Sequence, residues 1–74
     1  MLLPQTMLQI LQSGSNLTVD LDRQIVIPQI MVQLANVAAN SGAMLTFKNC
    51  DGKILPQTFI QVSSIGRGHV TFEQ

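Results

Sequence analysis

One seven-residue pattern occurs three times in this chain. Pro4-Gln5-Thr6-Met7-Leu8-Gln9-Ile10 returns as Pro28-Gln29-Ile30-Met31-Val32-Gln33-Leu34, and again as Pro56-Gln57-Thr58-Phe59-Ile60-Gln61-Val62. The shared pattern is Pro-Gln-x-(Met/Phe)-aliphatic-Gln-aliphatic. Two aliphatic residues precede each copy: Leu2-Leu3, Val26-Ile27 and Ile54-Leu55. A glycine follows each: Gly14, Gly42, then Gly66 or Gly68. Each copy then runs into an aliphatic-Thr-apolar triplet: Leu17-Thr18-Val19, Leu45-Thr46-Phe47 and Val70-Thr71-Phe72. Thr18 to Pro28 and Thr46 to Pro56 are both ten residues. A repeat at fixed spacing restricts the fold to like units that bury their apolar sides against one another.

Within a unit the periodicity changes. Met31, Leu34, Ala35 and Ala38 lie at i, i+3, i+4 and i+7, one face of a helix. Met7, Ile10 and Leu11 follow the same spacing, as do Phe59 and Val62. Proline is placed at the first helical position, where its missing N–H costs nothing. The preceding aliphatic offers no side-chain cap, so backbone or water must meet those N–H groups. Gln-Ser-Gly, Asn-Ser-Gly and Ile-Gly-Arg-Gly read as helix stops with a left-handed glycine. Leu17 to Leu21, Met44 to Asn49 and Val70 to Gln74 alternate apolar with polar, the period of a half-buried strand. The chain therefore reads α-β-α-β-α-β, with repeats at approximately 2–21, 26–49 and 54–74.

Strands joined through helices run parallel, with right-handed crossovers. Their apolar residues all point one way, whereas doubly wound sheets are apolar on both sides. The expected fold is α/β: three helix–strand repeats forming a one-sided parallel three-stranded sheet with helices on one face. At 74 residues this is a single domain, with roughly 4,500 Å² of folded surface against roughly 11,700 Å² unfolded.

The text Leu45-Thr46-Phe47-Lys48-Asn49-Cys50 resembles a leucine-rich repeat of the ribonuclease-inhibitor type. Leu45, Phe47 and Cys50 match its Leu-x-Leu-x-x-Cys/Asn step, and the first strand matches as Leu17, Val19 and Asp22. The fuller consensus, with a Leu upstream and another downstream, is not met. The resemblance implies a protein-interaction scaffold that works through an open sheet face, and it implies no catalysis.

Charge is scarce. Four Lys and Arg balance four Asp and Glu, and charged residues make up 11% of the chain. Bulk positive charge is therefore not available for nucleic acid, nor is the high net charge of a disordered tail. Cys50 is the single cysteine, so there is no disulfide framework, and one free thiol fits a reducing, cytoplasmic setting. Leu2-Leu3-Pro4 follows Met1 without a basic segment, and polar residues break the stretch that follows. Neither a signal peptide nor a membrane span is expected.

In register, the outward residues form two columns: Thr18, Thr46, Thr71 and Asp20, Lys48, Glu73. The first is a threonine ladder, and the second alternates in sign. Both stabilise a sheet, and both offer a candidate protein-binding face. On the helical layer, Gln5, Gln29 and Gln57 form one column and Gln9, Gln33 and Gln61 another. They are either solvated or an uncharged hydrogen-bonding surface between subunits. Beside them run Leu8, Val32 and Ile60. A stack of three units without polar caps leaves strand edges open. With zero net charge, this predicts a homo-oligomer, a two-fold dimer first.

Chemistry finds few candidates. Cys50 has no Cys-x-x-Cys partner and reads as a small buried residue. His69 reads as a turn or surface residue. A Cys50–His69 pair would place its members on opposite rims of a parallel sheet. No catalytic, cofactor or metal site is expected. Asp22-Arg23-Gln24 and Asp51-Gly52-Lys53 both lie between a strand end and a helix start, the rim where parallel sheets bind ligands. Arg23 and Lys53 are the residues that would hold a small anion there. The expected function is a small non-enzymatic interaction or self-assembly module, and the alternative is a small-ligand or anion-binding regulator on that rim. Nucleic acid and membrane are not expected partners.

Overall fold

In a computed structural model, residues 2–74 are described. Six elements alternate: α1 (Pro4–Gln12), β1 (Leu17–Asp20), α2 (Pro28–Ser41), β2 (Leu45–Lys48), α3 (Pro56–Gly66) and β3 (Val70–Phe72). Each proline opens its helix. The residue before it (Leu3, Ile27 or Leu55) is extended with ψ near 150°, as proline demands of its predecessor. None of these three positions caps with a side chain. Their backbone carbonyls accept instead, from Met7 N, Met31 N and Phe59 N.

The strands form one parallel sheet in the order β1-β2-β3. Leu17 pairs with Leu45, Thr18 with Thr46 and Val19 with Phe47, and on the other side of β2 Leu45 pairs with Val70, Thr46 with Thr71 and Phe47 with Phe72. The threonine ladder stands in the predicted register. Leu17, Val19, Leu45 and Phe47 are buried on the helix side with Met7, Leu11, Met31, Leu34, Ala35, Ala38 and Val62. Thr18 and Lys48 are exposed on the other side. The total accessible surface is 4548 Å², the value expected of a chain this size. No helix among the described residues is long and apolar enough to cross a membrane.

The helix stops differ from one another. Gly42 closes α2 in the left-handed conformation (φ 79°). In α1, Ser13 takes the last position with ordinary helical angles, and Gly14 turns left-handed one residue later. In α3 the expected glycine stop is displaced. Gly66 belongs to the helix, and Arg67 takes the left-handed position at φ 47°. Packing is the reason. Gly66 is buried against Val70, and an added Cβ would clash with Val70 Cγ2. The missing side chain is thus used for close approach of helix to strand, and the turn is left to Arg67 and Gly68.

Candidate functional site

The outward face of the sheet holds the six residues singled out from the sequence. Thr18, Thr46 and Thr71 lie side by side across the three strands. Asp20 pairs with Lys48 in register, and Glu73 follows Phe72 directly, one step beyond the assigned strand. The side chains do not close the expected ion column. Asp20 Oδ1 accepts from Asn49 Nδ2 at 2.6 Å and from Asp22 N at 2.9 Å. Its Oδ2 lies 3.8 Å from Arg23 Nε. The carboxylate therefore organises the turn after β1 and ties it to the residue after β2. Lys48 forms no ion pair among the described residues and stays exposed. Sequence reasoning misses Asn49. Its one signal is position, an Asn directly after a strand, where it takes φ 59° and bonds to Asp20.

The strand-end rim brings Arg23 and Lys53 near acids of the rim turns. Lys53 Nζ is paired with Asp22 Oδ1, and Arg23 approaches Asp20. An anion at this rim would have to displace a carboxylate from each cation. Cys50 is buried and its Sγ–H donates to Phe47 O. Burial pushes the Cys50 thiol pKa up against an opposing backbone hydrogen bond, and the nearby Glu73 charge adds to the rise. A thiol held protonated is a poor nucleophile. His69 is half-buried before β3, with Nδ1 3.1 Å from Ala43 O. Cys50 follows the end of β2 and His69 precedes the start of β3, so a parallel sheet keeps them on opposite rims.

The helical layer shows all six glutamines of the two columns exposed. Leu8 and Val32 are half-buried, whereas Ile60 is 72% exposed. The aliphatic pairs that precede each proline form a second apolar row. Leu3, Ile27 and Leu55 are exposed at the three helix starts, as is Ile25. Their inward companions are Val26, which is buried, and Ile54, which is half-buried.

The two ends of the stack are unequal. In the first unit Met7, Leu11, Leu17 and Val19 are all buried. In the third, Phe59, Ile65, Val70 and Phe72 are only half-buried, although they pack on the core. Phe72 stacks on Phe47 with centroids 5.9 Å apart and meets Phe59 edge-on at 4.8 Å. β1 lies between α1 and α2 in the order of elements and β2 between α2 and α3, whereas α3 precedes β3.

Comparison with protein-family profiles, with characterised proteins and with solved structures returns no match.

Proposed function

We propose that this protein is a small non-enzymatic interaction module that self-associates and presents the polar sheet face to a protein partner. One observation carries this reading: the half-covered apolar end at β3. Val70 and Phe72 repeat the positions of the buried pairs Leu17–Val19 and Leu45–Phe47, yet they keep contact with solvent. Apolar surface left open beside an unpaired strand edge is stabilised by covering it. The composition supports the same reading, because zero net charge gives copies little mutual repulsion. So does the resemblance of the β2 text to a leucine-rich repeat, a scaffold that works through its open face. Light scattering at tens of micromolar tests it. A mass above that of one chain is expected, and a monomer throughout would overturn the reading.

A further inference from the structure

Resting on that reading, we infer that two copies join through β3, antiparallel and about a two-fold axis at Thr71, into one six-stranded sheet. The backbone sets the geometry. Within a parallel ladder, alternate residues turn their N–H and C=O to one neighbour. His69 O accepts from Leu45 N, Glu73 N donates to Phe47 O, and Glu73 O accepts from Cys50 N. Odd-numbered residues of β3 thus face β2, and the N–H and C=O of Val70 and Phe72 point outward. Centred on Thr71, an antiparallel partner sets Val70 opposite Phe72 of the second copy, and Phe72 opposite its Val70. Both pairs exchange two hydrogen bonds. Their side chains lie on the helix side, where an aromatic and a β-branched residue form a favourable cross-strand pair. The half-buried Phe59 and Phe72 of each copy gain cover at the same step.

Charge selects this arrangement over the other ways of using the edges. The two-fold places Glu73 opposite His69 of the second copy, so no two carboxylates face each other across the axis. Head-to-tail addition of β1 to β3 in the existing register would place Asp20 beside Glu73, two carboxylates. The β1 edge is also blunted. The Asp20 carbonyl accepts from Arg23 N and Gln24 N and is closed off by that turn. A second copy at β3 satisfies backbone, apolar surface and charge together.

Thr71 is exposed, so its replacement leaves the core intact. The test compares wild type, Thr71→Lys and Thr18→Lys by sedimentation, and Thr71→Cys under mild oxidation. Like charges facing across the axis should weaken association of Thr71→Lys about ten-fold or more, while Thr18→Lys remains dimeric. Residues facing across a non-hydrogen-bonded antiparallel pair have Cα atoms about 4.5 Å apart, within the disulfide range of about 4.4–6.8 Å. Thr71→Cys should therefore form a covalent dimer, and wild type, with Cys50 buried, should not. A dimer that Thr18→Lys breaks and Thr71→Lys spares would overturn the inference and leave self-association standing. So would a mass that grows beyond two chains while the Thr71→Cys variant fails to crosslink. A monomeric wild type would instead overturn self-association itself.

Discussion

Asn49 holds Asp20. The amide nitrogen of the first donates to a carboxylate oxygen of the second at 2.6 Å, across 29 positions of sequence. The bond joins the turns that leave β1 and β2, and Asn49 makes it from a left-handed backbone. Two costs can therefore be separated by substitution. Asn49→Ala loses the hydrogen bond to a part-exposed carboxylate and puts a worse residue at positive φ. Together these should cost about 1–2 kcal/mol. Asn49→Gly loses only the bond and regains backbone ease, so its loss should be less than half as large. Urea unfolding of both variants is the check; equal losses would place the whole effect in the hydrogen bond.

Gly66→Ala should destabilise despite favouring the helix. Alanine gains up to about 1 kcal/mol of helix propensity. Its methyl, however, would run into Val70 Cγ2 and stand 3.2 Å from Val70 Cβ. Overpacking of this kind costs about 1–3 kcal/mol, which outweighs the gain. A lowered midpoint of thermal unfolding is expected, and a raised one would show that β3 moves freely away from α3.

Lys48→Glu should lower stability by roughly 0.2–1 kcal/mol. Lys48 stands beside Asp20 in register, with Glu73 next along the column. The swap makes three neighbouring acids. Because the side chain is exposed, the loss should shrink as salt is added. An unchanged melting point at low salt would refute the register of the outward columns.

Cys50 gives the fold a dependence on alkaline pH. An unfolded-chain thiol ionises near 9.0, and burial raises the folded value above that. Above that pH the unfolded chain binds fewer protons than the folded one, so stability falls as pH rises. The contribution is fully present below the unfolded value and is lost as pH climbs through the folded one. Denaturant midpoints should decline from about pH 9 upward, and Cys50→Ala should remove that part of the decline. A thiol reagent at about pH 8, near the ordinary thiol range, should react with native protein far more slowly than with unfolded chain.

Much of the fold was legible because two periods coexist with a repeat. Pro4, Pro28 and Pro56 mark three helix starts, and the Leu-Thr-Val, Leu-Thr-Phe and Val-Thr-Phe triplets fix strand register through their alternation. A slip by one residue would have buried threonines, so the register had one physical solution. The α3 stop was not legible, since Gly66, Arg67 and Gly68 all permit a turn and only the contact with Val70 selects among them. Nor was the partner of Asp20. Register puts Lys48 beside it, but a turn amide, Asn49 and Arg23 offer closer geometry, and these depend on how the loops fold back. The unequal ends were hidden for a related reason. Phe72 and Phe47 read identically in sequence, and only the order of layers decides which of them is covered.

β2 alone among the three strands is paired along both edges. That has a kinetic consequence. In a chain whose elements touch chiefly their immediate neighbours, opening proceeds from the outside inward. In the single chain, below the concentration at which copies associate, amides of Leu45, Thr46, Phe47 and Lys48 should therefore be the last to exchange their hydrogens with solvent, and the central helix α2 should share their protection. The flanking units would fray first, each leaving behind a smaller folded nucleus built around Phe47.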